Sequence, residues 1–126
     1  MEQLILHMIG DYLTQSHRMA VEKTKSWFWA WLHAVVYSLP FLLLTGGKVV
    51  PVLVIGVSHW IIDRLRLVRY VVFFKNRITS PEMKWKDCNG TGYPSDTPVW
   101  LAVWLMIIVD NIIHIVINYL ALRYLI

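Results

Sequence analysis

Charged residues and cysteine are scarce in this chain of 126 residues. Asp, Glu, Lys and Arg make up 16% of it, against about 25% in soluble domains. Cys88 is the single cysteine, which excludes an intramolecular disulfide and a metal cage built from thiolates. The hydrophobic fraction of 57% and the mean hydropathy of +0.52 are high for a soluble domain. The composition therefore predicts one membrane-embedded helical domain over residues 1–126.

The net charge of +4 comes from basic residues that cluster in two connectors. Residues 16–25 and 64–86 together hold ten of the twelve lysines and arginines. Cytoplasmic loops of membrane proteins carry this kind of excess, so the positive-inside rule predicts that both long connectors are cytoplasmic. We therefore expect the lipid bilayer, and no nucleic acid, as the partner of the basic residues. A homo-oligomer is compatible with the sequence.

Apolar residues at helical spacing predict an all-α integral membrane bundle of four helical segments. The segments cover residues 4–15, 27–45, 49–63 and 98–126, and the first is short for a bilayer core of about 30 Å. An amphipathic extension follows the third segment through residues 64–77. Residues 78–97 form the one long polar loop. A proline at position 40 predicts a kink in the second segment.

Ionisable residues inside the apolar segments are the candidate functional residues, because burying them in hydrocarbon is costly. They comprise His7, Asp11, His33, His59, Asp63, Asp110 and His114. Three His/Asp pairs are four residues apart, so each pair lies on one helix face. Imidazole with carboxylate favours zinc, manganese or iron, bound as one divalent ion or as two bridged ions. A proton or hydrogen-bond relay and purely structural packing are the alternatives.

Other polar residues lie beside these candidates. Gln15, Asn111 and Asn118 are predicted to support the ligands or to hydrogen-bond between helices. The arginines after Asp63 anchor the chain to anionic lipid in the simpler interpretation. In the more specific interpretation, Arg64 contacts a substrate phosphate.

Five motifs carry a resemblance to a known family: HMIGDYLTQ, LHAVVY, SHWIID, TGYPSDTPVW and DNIIH. Together they resemble a small integral-membrane family of bacteria and their phages, catalogued as domain of unknown function 3307. The CNGTGYP loop is similar to that of the phage-type branch. The resemblance implies a few membrane helices in the inner membrane of a bacterial host. More distantly, the His/Asp motifs resemble those of membrane-bound metal-dependent hydrolases.

These features lead to a functional hypothesis with two alternatives. The first is a metal-dependent hydrolase that acts on a lipid or a lipid-linked phosphate at the cytoplasmic leaflet. In it, the metal activates a water and a carboxylate, Asp63 or Asp11, is the catalytic base. The alternatives are a transporter of metal ions or protons, and a non-catalytic phage membrane modulator with a structural metal.

Overall fold

α-Helices joined by short turns form the backbone of the computed structural model, which describes residues 1–126 and contains no strand. The helices are α1 (Glu2–Met8), α2 (His17–Glu22), α3 (Trp27–Ser38), α4 (Phe41–Leu44), α5 (Val49–Leu65), α6 (Val68–Arg77), α7 (Trp85–Cys88) and α8 (Val99–Tyr124), with a π-helical turn at Ile9–Leu13. The all-α prediction is confirmed.

Two stretches are long and apolar enough to cross a membrane. They are Trp27–Leu44, which contains α3 and α4, and Val99–Tyr124, which is α8. The other two predicted crossings do not reach that length, because α1 has seven residues and α5 has seventeen. A bundle with four crossings therefore stays a prediction.

The chain divides into two compact units, with the boundary inside α8. The first unit comprises residues 1–65 and 114–126, and the second comprises residues 66–113. In the first unit, α3 packs along α5. Its core consists of Tyr37, Phe41, Val52, Ile55 and Ala121, all nearly inaccessible to solvent.

Two predicted segments are divided in the structure. The second segment is interrupted at Leu39 and Pro40, and Pro40 then precedes the first turn of α4. A proline fits there because the first turn of a helix does not use its N–H groups. The third segment does not continue smoothly into an amphipathic extension. It breaks at Arg66, whose φ of 51° is left-handed, and α6 begins at Val68.

The second unit combines the amphipathic α6 with the polar loop. α6 buries Val68, Val72 and Phe73 on one face. The loop predicted over residues 78–97 contains the short helix α7. Its backbone passes close to α6 at Gly92, where φ is +86° and an added Cβ would overlap the carbonyl oxygen of Arg69. Glycine is therefore required at position 92 for both conformation and space.

Candidate metal centre

The first component of the centre is Asp11, which lies in the π-helical turn after α1. The turn is closed by a hydrogen bond from the Thr14 amide to the Ile9 carbonyl at 2.9 Å, five residues back. Turns of this kind change the direction of the side chains they carry and recur at functional sites. Both Gly10 and Asp11 are buried in the turn. A side chain at Gly10 would overlap the ring of Tyr37, so its lack of a side chain lets the turn approach α3.

Helices α3 and α5 contribute the next residues. His33 lies on α3, and His59 and Asp63 lie one turn apart on α5, where they share a face as their spacing predicts. His59 Nε2 is 3.3 Å from Asp63 Oδ2. All three side chains are buried. The same helix pair therefore supplies a histidine from each partner and one carboxylate.

Three donor atoms form a nearly equilateral triangle. His33 Nε2 and His59 Nε2 are 3.0 Å apart, and Asp11 Oδ1 lies 3.1 Å from the first and 3.3 Å from the second. Each ring can carry one proton on Nε2, so at most two of the three contacts can be hydrogen bonds when the carboxylate is ionised. The Nδ1 atoms of both rings are buried without a hydrogen-bond partner. A cation bound between Asp11 Oδ1 and the two Nε2 atoms would satisfy these three atoms at once.

Asp63 adds a fourth donor to the triangle. Its Oδ2 is 3.3 Å from His59 Nε2 and 3.5 Å from His33 Nε2. A tetrahedral ion with bonds of about 2.0–2.2 Å separates its ligands by roughly 3.3–3.6 Å. The five measured separations, from 3.0 to 3.5 Å, are close to this range. His33 and His59 can therefore hold a divalent transition metal together with Asp11, and Asp63 lies beside the two histidines.

His114 of α8 belongs to a second group of donors that could hold an ion. His59, Asp63 and His114 offer ligand atoms within 4.8 Å of one another, as do Asp11, His33 and His59. His114 Nε2 is 3.5 Å from Asp63 Oδ1. Since His59 belongs to both groups, either group could hold an ion.

Lys23 also reaches the cluster from the connector between α2 and α3. Its Nζ lies 2.7 Å from Asp63 Oδ2 and 3.5 Å from His33 Nε2. The Lys23 side chain is 18% exposed, whereas those of Asp63 and His33 are 4% and 0% exposed. Lys23 is therefore the cationic and most accessible member of the cluster.

Tyr37 connects the cluster to two further polar residues. Its ring stacks on His59, with centroids 3.8 Å apart and planes 19° from parallel. Its hydroxyl accepts a hydrogen bond from Asn118 Nδ2 at 2.6 Å and lies 2.8 Å from His7 Nδ1. His7 Nδ1 is in turn 3.6 Å from Asp11 Oδ2. Of the predicted ligands, His7 thus contacts both Tyr37 and Asp11 and is in neither donor group.

Four further residues were predicted to belong to the site: Gln15, Arg64, Asp110 and Asn111. Gln15 donates to the backbone carbonyl of Asp11 at 3.0 Å, which helps to hold the π-helical turn. Arg64 donates to the Thr24 carbonyl at 3.1 Å and lies over the Trp27 ring, so it fixes the connector beside α5. Asp110 and Asn111 lie on the part of α8 that belongs to the second unit, and both are partly buried. Neither donor group includes Asp110.

Sequence reasoning missed Lys23, and the sequence does not decide between a packing role and a functional role for Tyr37. Lys23 belongs to a basic connector, in which lysines are normally solvated, and its long side chain reaches the cluster only through the tertiary fold. The spacing of Tyr37, one turn after His33 on an apolar helix, was the available signal for its position.

The comparisons with known proteins give one match. No curated protein and no solved structure matches the chain. The phage-type branch and the distant likeness to hydrolases therefore stay predictions. A family model described as "Protein of unknown function (DUF3307)" matches residues 1–125. Because that match covers nearly the whole sequence, the chain belongs to the DUF3307 family.

Proposed function

We propose that this protein binds a divalent transition metal through its His/Asp cluster and hydrolyses a phosphate ester of a lipid or lipid-linked substrate. The observation that supports the proposal most is the close approach of His33 Nε2, His59 Nε2 and Asp11 Oδ1, which lie 3.0–3.3 Å from one another. Asp63 Oδ2 lies 3.3 and 3.5 Å from the same two histidines. Zinc, manganese and iron all suit imidazole and carboxylate ligands. His114 completes the set if a second ion is bound.

The chemistry follows from the charges around that point. A bound metal ion lowers the pKa of a coordinated water towards about 7. Each carboxylate directs one oxygen at the two central histidines and has its other oxygen nearest a further histidine, His7 for Asp11 and His114 for Asp63. In the proposed mechanism, that second oxygen would accept a proton from the attacking water, with Asp63 or Asp11 as the general base. Lys23 is the group that attracts an anionic substrate.

Membrane embedding supports the choice of a lipid substrate. In the most apolar stretch of α8, only 11% of the residues are buried within the protein. A helix in the core of a soluble protein would be mostly covered, whereas a lipid-facing helix is not. We place the basic connectors on the cytoplasmic side of a bacterial inner membrane by the positive-inside rule. Lys23, the accessible member of the cluster, lies in one of those connectors and would meet headgroups of that leaflet.

Elemental analysis of the detergent-purified protein tests the metal proposal. We expect about one or two transition-metal ions per chain. A double variant, His59→Ala with Asp63→Asn, should lose the metal while Lys84→Ala keeps it, because Lys84 is an exposed residue of the polar loop. A folded wild-type protein without metal, or a double variant that retains it, would contradict the proposed centre.

Turnover tests the hydrolase. The metal-loaded protein should release phosphate from a lipid phosphate in mixed micelles. Lys23→Gln should lower this turnover while the metal content stays near that of the wild type, because Lys23 supplies charge and no ligand atom. Metal-loaded protein without phosphatase activity on lipid phosphates would contradict the hydrolase and retain the metal centre.

A relay or transport function is the second candidate, and one observation favours it. Polar contacts of 3.6 Å or less run from Lys23 through Asp63, His59, Asp11 and His7 to Tyr37. A chain of ionisable groups inside a membrane protein can serve as a proton relay. Proton or metal flux into liposomes containing the protein, measured with a pH-sensitive dye or with radiolabelled metal, would favour this candidate over hydrolysis.

A further inference from the structure

The first unit also contains an apolar groove between α3 and α5, with a cavity volume of about 370 Å³. It extends along α5 from Val49 to Trp60, a rise of about 16 Å. Ser38 is the one residue of its lining that is neither aliphatic, aromatic nor glycine. A volume of this size is within the range of small-molecule sites. The groove can therefore hold a hydrocarbon chain.

Tryptophan and arginine side chains lie together at one end of the groove. At one end, the Trp60 ring lies 5.5 Å from the Trp27 ring, over which the Arg64 guanidinium sits at 4.8 Å. Arg18 lies over the neighbouring Trp29. At the other end, Lys48 is the single basic residue of the turn that precedes α5. Tryptophan and arginine together are typical of headgroup depth in a membrane.

The groove and the candidate metal centre use the same two helices. Trp60 of the groove directly follows His59, and Ala34 follows His33. The cationic end of the groove is thus level with the cluster along both helices. A molecule with its chain in the groove and its anionic head at Trp60 would have that head at the depth of the cluster.

We propose that the groove binds the hydrocarbon chain of an anionic phospholipid whose phosphate lies beside Arg64. The arginine and tryptophan side chains at one end set this orientation, and the apolar lining selects a chain over a polar occupant. The proposal rests on the proposed function only in naming the lipid part of its substrate. Chain binding can be measured without turnover, so the two proposals can fail separately.

The test is photolabelling in vesicles of phosphatidylethanolamine and phosphatidylglycerol that contain a trace of phosphatidic acid with a diazirine in its acyl chain. Labelled residues are then identified by peptide mass spectrometry. We expect labelling concentrated at Leu39, Leu53 and Val57, which line the groove and are 48–58% exposed. Ile108 and Ile112 of α8 are similarly exposed, at 47% and 55%, and should be labelled less. Equal labelling of both sets would mean annular lipid only and would overturn the proposal.

Two valines of α5 give a matched pair of variants. Val57 lines the groove and is 48% exposed, while Val54 does not line it and is 40% exposed. Val57→Trp should abolish labelling of Leu39 and Leu53, because the indole fills the groove. Val54→Trp should leave that labelling unchanged. Equal labelling in the two variants would also overturn the proposal.

Arg64→Gln tests the headgroup without changing the groove. In the wild type, unlabelled phosphatidic acid should compete with the probe better than uncharged diacylglycerol does. Loss of one cation should weaken competition by phosphatidic acid about fivefold. The double variant His59→Ala with Asp63→Asn should retain groove labelling whether or not the metal centre exists. An unchanged preference in Arg64→Gln would overturn the proposed orientation.

Discussion

The His/Asp cluster of the first unit and the arginine contacts of the second place polar side chains among apolar helices in different ways. In the cluster, Asp11 Oδ1 of the π-helical turn, His33 Nε2 of α3 and His59 Nε2 of α5 lie 3.0–3.3 Å from one another. The side chains are buried, and several have more than one polar contact. They form two groups of possible metal ligands that share His59.

In the second unit, two arginines each donate a hydrogen bond to a backbone carbonyl of the polar loop. Arg66 donates to the Gly90 carbonyl at 2.8 Å, and Arg69 donates to the Asn89 carbonyl at 3.0 Å. Burial and the nearby charge of Arg69 lower the pKa of Arg66. These contacts fasten the polar loop to the beginning of α6.

The difference separates a binding site from a structural contact. A guanidinium N–H that donates to a backbone carbonyl already has its partner and requires no ligand. Nitrogen and oxygen atoms that lie close together with too few protons for hydrogen bonds between all of them can instead be satisfied by a bound cation. We therefore expect substitutions in the cluster to change ligand binding, and substitutions in the second unit to change stability alone.

The largest effect should come from Asp11→Asn. The substitution removes the carboxylate that contacts both central histidines, so metal affinity should fall by more than the roughly 10–100-fold that loss of a supporting partner costs. Arg69→Gln in the second unit is the matched control and should leave metal content unchanged. Titration with zinc in the presence of a chelator measures both. Equal affinities in the two variants would remove the distinction between the regions.

The sequence predicted the members of the cluster better than their arrangement. Helical spacing alone put His59 and Asp63 on one face, and the costs of burial singled out Asp11 and His33. It could not place Lys23, whose contact with Asp63 depends on how the connector folds back. Nor could it separate Asp110 from the donor groups, because that requires the orientation of α8.

The fold was predictable in its helices and less so in its breaks. Apolar periodicity indicated the helical segments, and Pro40 marked an interruption. The break at Arg66 had no such signal, because arginine has no intrinsic preference for a positive φ. The π-helical turn at Ile9–Leu13 could not be predicted from the sequence either, because its residues suit an α-helix equally well.

The next effect concerns stability in the second unit. Gly92→Ala would force a Cβ against the Arg69 carbonyl and to within 2.7 Å of the Phe73 amide nitrogen, at a φ of +86°. We expect a loss of about 2–3 kcal/mol in the free energy of unfolding. This corresponds to roughly 5–15 °C in the midpoint of thermal unfolding in detergent, followed by circular dichroism.

Gly90→Ala provides the control for this prediction. Gly90 has open space around it and no left-handed φ, so the added methyl should change the midpoint little. Metal content should be the same in both variants. A Gly92→Ala protein as stable as the wild type would show that the loop does not pack on α6 as described.

A smaller effect is expected from Tyr37→Phe. The variant keeps the ring that stacks on His59 and removes the hydroxyl that contacts His7 and Asn118. Metal should still bind, with an affinity lowered about tenfold, as for the loss of a supporting hydrogen bond. Tyr70→Phe is the control, since the Tyr70 hydroxyl accepts only from Arg69 at an exposed site. Wild-type metal affinity in Tyr37→Phe would show that the affinity depends on the direct ligands and not on the Tyr37 hydroxyl.

The smallest effect concerns the reactivity of Cys88 in the second unit. Burial, with the nearby charges of Asp87 and Asp96, raises the pKa of the Cys88 thiol above its ordinary value. Because the thiolate is the reactive form, its fraction at pH 7 falls below that of a free cysteine. Maleimide should therefore label the native protein more slowly than it labels a small thiol, and the rate should keep rising at a pH where a small thiol is already ionised.

The rate of maleimide labelling at Cys88 in the Gly92→Ala variant tests whether packing of the loop protects the thiol. Local opening of the second unit would expose Cys88, so the variant should be labelled faster than the wild type at the same pH. Labelling after denaturation is the control that the thiol is reduced in both proteins. Rapid labelling of the native wild type at pH 7 would mean that the loop around α7 opens freely. In that case its backbone contacts with Arg66 and Arg69 would contribute little to stability, and the contrast with the buried cluster would be larger still.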